Sequence, residues 1–330
     1  MRELLRTNDP VLVSAVSALL DGADIQHLVL DQNMSVLEGS LGILPRRILV
    51  GDDDQEGARR LLEDAGLAHE LRSLPAGQES EQTDDAVLGG RLRLKQQRRG
   101  HRVGHDAILL AAATGARAGD YAIDLGSGVG AAGLALALRV PDVMVTLVEV
   151  DPALAELAAE NIQRNGFASR ARVLVVDVQS PPDVFAAAGL PSGEADRVLM
   201  NPPFNPERQN ASTDAQRRAA HMAQPALLAD WIAAAARLLH SAGTLTMIWR
   251  ADGLQEVMAT LSPHFGGVAI LPVHGRMGQP AIRVLVRAVK GSRAPLALYP
   301  GLTLNDENGR PTAEAEAILR DGSTLPLAEL

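Results

Sequence analysis

A glycine-rich turn between a strand and a helix constrains the fold of this chain more than any other feature. Residues 122–130 read Ala-Ile-Asp-Leu-Gly-Ser-Gly-Val-Gly, and the helix-forming run 131–139 follows at once. The three glycines allow the backbone to turn sharply and to approach a ligand that a Cβ atom would obstruct. Strands and helices alternate through the rest of the chain, which predicts an α/β fold with a mostly parallel sheet covered by helices on both faces.

Seven segments in the larger part of the chain are predicted as the strands of one Rossmann-like sheet. They are residues 121–125, 143–149, 173–177, 197–200, 244–249, 268–273 and 282–289. Helices are predicted between them, for example over 151–165 and 225–240. In the first of these helices, Asp151 is expected to cap the amino end and Asn165-Gly166 to end the helix.

Carboxylates stand at the ends of the first three strands. Asp124 precedes the glycine-rich turn, Glu149 ends the second strand and Asp177 ends the third. A carboxylate at the end of the second strand is suited to accept two hydrogen bonds from a ribose diol. An acid at the end of the third strand is suited to an exocyclic amine such as N6 of adenine. The three strand ends therefore predict a cofactor that contains adenosine.

Two cofactor classes compete for this turn. A nicotinamide dinucleotide prefers Gly-x-Gly-x-x-Gly, in which the turn and the helix N-terminus cradle a pyrophosphate. The spacing here is Gly-x-Gly-x-Gly, and Asp124 in front of it would repel a phosphate. S-adenosylmethionine has an adenosine, a sulfonium and an amino-acid end but no phosphate, so we predict this cofactor. The alternative is an ordinary tight strand-to-helix turn that binds no ligand.

The fourth strand ends in Asn201-Pro202-Pro203-Phe204, and this tetrapeptide predicts the chemistry. Two prolines at a strand end remove two N–H donors and restrict the backbone. A planar amino group has a delocalised lone pair, so both of its hydrogens must be held by acceptors before the nitrogen presents electron density to a methyl group. Asn201 Oδ1 and the Pro202 carbonyl can be these acceptors, and Phe204 can stack on the base. A plain proline-rich turn is the alternative.

The first part of the chain is predicted to form a separate small domain. The length of 330 residues suggests about two domains at roughly 150 residues each. Residues 73–85 are polar and acidic without hydrophobic periodicity, and are predicted as a linker between domains at 1–72 and 86–330. The order β-α-β-β-α-β predicts a ferredoxin-like α+β fold for the small domain, with a long loop at 31–45 and a last strand around 67–71.

The larger domain resembles class I S-adenosylmethionine-dependent methyltransferases that act on planar amino groups. The resemblance rests on the glycine-rich turn, Glu149, Asp177 and the Asn-Pro-Pro-Phe tetrapeptide. Segment 88–110 is similar to the bacterial valine-tRNA adenine-N6 methyltransferase family, which modifies the adenine beside the anticodon. The small domain resembles a bacterial family that is described as signal-transducing and has no established ligand.

The resemblance implies a role for each matching residue. The implied cofactor contacts are Asp124, Gly126 and Gly128 for the methionine end, Glu149 for the ribose, and Asp177 and Val178 for the adenine, with Ser127 and Gly130 of the same turn as further cofactor contacts. The target amine would lie against Asn201, Pro202, Pro203 and Phe204. No metal and no general base is implied, because the sulfonium is already activated and catalysis is mostly positioning.

A run of six cations over residues 91–102 is the candidate RNA-binding segment, and the predicted substrate contacts within it are Lys95, Arg98, Arg99 and Arg102. The net charge of −9 argues against indiscriminate coating of nucleic acid. A local basic patch beside the pocket can still position an RNA through its phosphates while the pocket holds an extruded base. A solvated pair of strands is the alternative.

The favoured function is N6 methylation of an adenine in structured RNA, above all tRNA. The same pocket would suit rRNA guanine N2, DNA adenine N6 or a protein glutamine. A further alternative is a non-catalytic sensor, in which the small domain responds to a ligand or protein partner. The absence of cysteine fits a reducing compartment. No run approaches the roughly 18 apolar residues of a membrane span and the N-terminus lacks the form of a signal peptide, so a cytoplasmic enzyme is expected.

Overall fold

The fold is described from a computed structural model of the chain. The structure describes residues 2–7, 10–23, 25–30, 46–51, 54–67, 82–98, 103–203 and 227–330. The chain divides into two compact units, residues 1–80 and residues 81–330. None of the described helices is both long enough and apolar enough to cross a membrane.

In the described part of the first unit, two helices pack on a three-stranded antiparallel sheet. Its elements are β1 (Arg2–Thr7), α1 (Pro10–Gly22), β2 (His27–Leu30), β3 (Arg46–Val50) and α2 (Gln55–Asp64). The strand order is β1-β3-β2, and β3 is antiparallel to both neighbours. The fully buried core includes Leu4, Val16, Leu20, Ile48 and Leu62.

These five elements follow the order predicted for the ferredoxin-like fold. The predicted loop at 31–45 lies outside the described residues. The same holds for the predicted last strand from residue 68 onward, because only Leu67 at its start is described.

The second unit begins with a hairpin that pairs with no other described strand. Its strands are β4 (Gln82–Val87) and β5 (Leu92–Gln97). Residues 82–85 were predicted as the end of the linker, and this prediction is wrong because they form most of β4. The strand is polar, and its half-buried Asp85 accepts hydrogen bonds from Thr83 Oγ1 (2.7 Å) and Gln96 Nε2 (2.6 Å). A strand held by polar side chains has no hydrophobic alternation from which it could be predicted.

One large sheet with flanking helices forms the rest of the second unit. Its elements are α3 (His105–Ala113), β6 (Tyr121–Leu125), α4 (Ala131–Arg139), β7 (Met144–Glu149), α5 (Pro152–Arg164), β8 (Ala171–Val175), α6 (Pro182–Ala187), β9 (Ala195–Met200), α7 (described over 227–238), β10 (Leu239–Arg250), α8 (Leu254–Leu261), β11 (Phe265–Arg276), β12 (Ala281–Lys290), β13 (Ala297–Leu298), β14 (Leu302–Asn305) and α9 (Ala313–Leu319). Helix α5 begins and ends as predicted, since Asp151 Oδ1 accepts from Ala153 N (2.8 Å) and Asn165 follows its last turn.

The strand order is β13-β11-β12-β10-β9-β6-β7-β8, with β14 paired to β11. Strands β8, β7, β6, β9 and β10 are parallel, and β12 is antiparallel to both β10 and β11. The seven predicted strands are all present in this α/β sheet, and β13 and β14 extend it. The third of them ends at Val175 and not at Asp177, because Asp177 Oδ1 accepts from Gln179 N (2.9 Å) in a turn.

The register of the parallel strands brings four strand ends to one edge. Leu125 at the end of β6 lies opposite Val148 of β7 and Met200 of β9. Glu149 at the end of β7 lies opposite Val175 of β8. Neighbouring strands are about 4.8 Å apart. The carboxyl ends of β8, β7, β6 and β9 therefore lie side by side, in that order, and the acids, the glycine-rich turn and Asn201 lie in or directly after them.

Candidate functional site

The glycine-rich turn joins β6 to α4 and is hydrogen-bonded to the neighbouring strand β7. Gly126, Gly128 and Gly130 have φ angles of +67°, +55° and +90°, which favour glycine. The N–H groups of Gly126 and Ser127 both donate to the Val148 carbonyl, at 2.8 and 3.0 Å, and Gly130 N donates to the Ser127 carbonyl at 2.8 Å. These donors are used within the protein, so they do not form the cradle of free amides that a pyrophosphate requires.

Asp124 is buried beneath this turn. Its side chain is 2% exposed, and Oδ2 accepts a hydrogen bond of 2.8 Å from Gly133 N in the first turn of α4. The carboxyl group thus occupies the helix N-terminus at which a dinucleotide-binding turn holds phosphate. Burial raises the pKa of Asp124 to about 7, with the hydrogen bond from Gly133 opposing the shift and the nearby Glu149 carboxylate adding to it. Another anion is unfavourable here, whereas a ligand ammonium group is favourable.

Gly133 allows α4 to approach the sheet closely enough for this contact. A Cβ atom at Gly133 would lie 2.4 Å from Leu147 Cδ2 and 3.1 Å from Asp124 Oδ2. The sequence interpretation passed over this glycine because it follows the turn. Gly133 could have been noticed because it lies inside a helix, where glycine is about 1 kcal/mol less stable than alanine. A glycine at such a position indicates close packing.

Glu149 lies at the end of β7 with its carboxylate held by backbone amides. Oε2 accepts from Gly128 N (2.7 Å), and Oε1 accepts from Val150 N and Asp151 N (both 2.9 Å). The side chain is buried, at 7% exposure. A carboxylate offers about four acceptor positions, so one ribose hydroxyl can be added to the present partners. The two hydroxyl hydrogen bonds expected from the sequence require that one of these amides give way.

Asp177 and Val178 lie in the loop after β8 that was predicted to hold the adenine. Asp177 is exposed, and Val178 is buried in the core. Gln179 connects this loop to helix α7, because its Nε2 donates to Asp230 Oδ2 at 2.7 Å. Asp230 was not expected at the site, since nothing in the sequence relates it to residue 179.

Asn201 follows β9 directly, beside the turn that follows β6. Its Oδ1 atom is buried and has no hydrogen-bond partner among the described residues. Pro202 is buried and Pro203 is exposed, whereas Phe204 lies outside the described residues. A buried acceptor without a donor costs about 1–3 kcal/mol. Asn201 therefore has the property expected of a residue that accepts a hydrogen bond from a bound amine.

Trp231 of α7 packs against the glycine-rich turn and was missed by the sequence interpretation. A Cβ atom at Gly126 would lie 2.2 Å from Trp231 Cη2. The indole is 7% exposed and belongs to the main core cluster of the second unit. The signal was available in the composition, because only two tryptophans occur in the chain and this one lies within the helix predicted over 225–240.

The basic run is partly neutralised by acids of the same unit. Lys95 forms an ion pair with Glu160 of α5. Asp84 of β4 accepts from Arg93 at 3.3 Å and from Arg164 at 2.5 Å, and its pKa is lowered chiefly by the hydrogen bond from Arg164. Arg93 and Lys95, the two cations of the run that lie on β5, are thus engaged within the protein.

The other predicted RNA contacts are only partly described. Arg98 follows β5 and is half-buried, whereas Arg99 and Arg102 lie outside the described residues. Among the described residues, no group of three or more His, Asp or Glu side chains is arranged to hold a metal ion.

The residues at the carboxyl ends of the parallel strands are chemically suited to bind S-adenosylmethionine. Four amides of the turn and Gly133 N at the start of α4 are already hydrogen-bonded, which disfavours a diphosphate, and Asp124 and Glu149 favour a cationic ligand. A Cβ atom at Gly128 would meet nothing within 4 Å, so open space lies next to this part of the turn. Ser127 Oγ is buried and has no partner within the described part of the chain, and it can serve a polar ligand atom.

Two family models match the chain. Residues 102–276 match the family described as "Methyltransferase small domain". Residues 1–66 match the family described as "Putative prokaryotic signal transducing protein". The first match covers the strand ends from β6 to β9 and both sequence motifs.

Curated relatives with methyltransferase names include enzymes for two kinds of substrate. The tRNA1(Val) (adenine(37)-N6)-methyltransferase of Actinobacillus succinogenes is 29% identical over 232 residues, which are 70% of this chain and 94% of that protein. The release factor glutamine methyltransferase of Chlorobaculum tepidum is 28% identical over 163 residues, which are 47% of this chain and 54% of that protein.

A solved structure also matches the chain. It is the crystal structure of a predicted O-methyltransferase from Agrobacterium tumefaciens, with a TM-score of 0.57 and 31% sequence identity. The match covers 67% of this chain and 98% of that one. The α/β sheet described above is thus that of class I methyltransferases.

Proposed function

Because the chain belongs to the methyltransferase small domain family, we propose that this S-adenosylmethionine-dependent methyltransferase acts on the N6 amino group of an adenine in structured RNA. We propose tRNA as the substrate class, with the adenine next to the anticodon of valine tRNA as the target. The names of relatives such as the Actinobacillus succinogenes enzyme support this substrate.

The observation that carries the proposal is the unpartnered Asn201 Oδ1 beside the glycine-rich turn. The nitrogen of an aromatic amine is a poor nucleophile because its lone pair is delocalised into the ring. Two acceptors on its hydrogens favour a pyramidal nitrogen, whose lone pair can point at the donor methyl group. Asn201 Oδ1 is the first acceptor, and the carbonyl of Pro202 is the second.

The remaining residues of the edge position the two reactants. Asp124 accepts the ammonium of the methionine end, Glu149 accepts a ribose hydroxyl, and Asp177 with Val178 contacts the adenine of the cofactor. The bound cofactor supplies a methyl group on a sulfonium that is already activated. Holding the amine in line with this methyl group is then the main catalytic task. The proton lost from the amine after transfer goes to solvent, so no side chain has to act as a general base.

A protein glutamine is the second candidate substrate, because its side-chain amide is also planar and a release factor glutamine methyltransferase is among the relatives. The arginines at 98, 99 and 102 favour RNA over a peptide, since they place cations next to the segment that leads into α3.

The test is methylation of bulk tRNA from cells that lack the protein, followed by mass spectrometry of the nucleosides. We expect N6-methyladenosine to form in the tRNA. Asn201→Ala should lower kcat by about 100-fold and change the affinity for S-adenosylhomocysteine by less than about twofold. If the tRNA gains no methyl group while a release-factor peptide gains one on glutamine, the RNA assignment is wrong.

A further inference from the structure

The hairpin of β4 and β5 is held to helix α5 by two asparagine side chains. Asn161 Oδ1 accepts from Lys95 N (2.7 Å), and its Nδ2 donates to the Lys95 carbonyl (3.0 Å). Asn165 repeats the pattern with Arg93, at 3.0 Å for the acceptor and 2.8 Å for the donor. Each side-chain amide thus exchanges two hydrogen bonds with one strand residue, as a neighbouring strand would do.

The geometry of a helix and a strand explains this match. Four residues of an α-helix rise about 6 Å, and two residues of a strand rise about 6.7 Å. Two asparagines one turn apart on α5 therefore face alternate residues along the free edge of β5. The ion pair of Lys95 with Glu160 and the hydrogen bond of Arg164 to Asp84 flank them. Helix α5 thus bonds to the edge of β5 in the way that a neighbouring strand would.

Asn161 differs from Asn165 in one respect that concerns the cofactor site. Its Nδ2 also donates to the carbonyl of Val129 in the glycine-rich turn, at 3.0 Å. Asn161 is 0% exposed, whereas Asn165 is half-buried and makes no bond to the turn that is described. One buried amide therefore joins the hairpin to the backbone of the turn.

The hairpin is also fixed to the start of α3. Gln96 of β5 is 3% exposed, its Nε2 donates to Asp85 Oδ2 at 2.6 Å, and its Oε1 accepts from Val103 N at 2.8 Å. Val103 lies two residues before His105, where α3 begins. The Gln96 side chain thus joins the end of β5 to the residues that lie just before α3. The position of the hairpin depends in turn on Asn161 and Asn165.

We infer that Asn161 is a positioning residue for methyl transfer, which holds the glycine-rich turn and strand β5 in one fixed relation. It touches neither cofactor nor substrate. Its loss frees the Val129 carbonyl and loosens the turn, in addition to loosening the hairpin. This inference rests on the proposed cofactor site, but it does not depend on which RNA or protein is methylated.

The experiment compares Asn161→Ala with the matched control Asn165→Ala in the full-length protein. Both variants lose the paired hydrogen bonds to β5, and only the first loses the bond to Val129. S-adenosylhomocysteine binding is measured by calorimetry, and amide hydrogen exchange is followed in residues 92–97 and 126–133. We expect faster exchange of the hairpin in both variants. We expect faster exchange of the turn and about tenfold weaker S-adenosylhomocysteine binding only in N161A.

A general structural role would give a different result. If N165A weakens S-adenosylhomocysteine binding as much as N161A does, or if N161A leaves both binding and turn exchange unchanged, the inference is wrong. Asn161→Ser introduces no buried charge, and its single O–H cannot donate to the Lys95 and Val129 carbonyls together, so it replaces N161A if the alanine variant does not fold. Failure of the wild type to methylate tRNA would refute the proposed substrate. The comparison of N161A with N165A would still be valid, because it measures S-adenosylhomocysteine binding and amide exchange.

Discussion

Two glycines of the same turn should respond differently to the same substitution. Gly126 and Gly128 both have positive φ, at +67° and +55°. A Cβ atom at Gly126 would lie 2.2 Å from the indole of Trp231, whereas one at Gly128 would meet nothing within 4 Å. We expect Gly126→Ala to act mainly on stability and Gly128→Ala mainly on cofactor binding, because the open space beside Gly128 is where the ligand would lie.

The size of the effect follows from two contributions. Placing alanine in the left-handed region costs about 1.5 kcal/mol in either variant. The clash with Trp231 adds about 2 kcal/mol in G126A, since a buried indole can move only by disturbing the core. For a unit of this size, 1 kcal/mol corresponds to about 3 °C. The melting temperature of the second unit should thus fall by about 10 °C in G126A and by about 5 °C in G128A.

Tryptophan fluorescence is a suitable assay because both tryptophans, Trp231 and Trp249, lie in the second unit. Thermal unfolding is followed by fluorescence, and S-adenosylhomocysteine binding is measured by calorimetry at a temperature where both variants are folded. We expect binding to weaken by at least about tenfold in G128A. Equal losses of stability in the two variants would refute the packing argument, and unchanged binding in G128A would refute the location of the ligand.

Two predictions concern pH. Since the pKa of Asp124 is raised to about 7, the folded protein holds one more proton than the unfolded chain between about pH 4 and 7, and stability falls as the pH rises through this window. A ligand ammonium lowers the pKa of Asp124, so S-adenosylhomocysteine binding at pH 6.5 should release protons. The release is measured by calorimetry in two buffers of different ionisation enthalpy, and Asp124→Asn should abolish it. The pKa of His240 is raised, first by its hydrogen bond with Asp196 (2.9 Å). Its stabilising effect is therefore present below pH 6.5 and is lost as the pH rises through the folded-state pKa, and His240→Gln should lower the melting temperature more at pH 6 than at pH 8.5. An equal loss at both pH values would contradict this.

The sequence predicted the parts of the fold that depend on local patterns. The seven strands of the sheet are apolar and separated by helices with standard ends, as in α5 with Asp151 at its start and Asn165 after its last turn. Their carboxyl ends meet because parallel strands with crossover helices leave no other arrangement. Glu149, the glycine-rich turn and Asn201 could therefore be assigned to one edge from the sequence alone.

The rest depends on pairs of residues that are distant in the chain. Trp231 fits against Gly126 across more than a hundred residues, and Asn161 bonds to Lys95 and Val129 in two separate segments. A polar residue on the buried side of a helix signals that a partner exists, but not which one. The strand β4 escaped prediction for the same reason, because its polar side chains are satisfied by hydrogen bonds and not by burial of apolar surface.

The choice between a dinucleotide and S-adenosylmethionine is decided by the allocation of N–H groups, which glycine spacing indicates only indirectly. A phosphate-binding turn keeps its amides and its helix N-terminus free for the ligand. Here Val148 and Glu149 accept from the turn, and Asp124 accepts from the first turn of α4. A diphosphate would have to displace two carboxylates and then lie next to them, which is unfavourable at every step. A cationic ligand without phosphate needs no such displacement, and its charge offsets the burial of Asp124. The acid in front of the turn thus selects the cofactor by occupying the place where a phosphate would bind.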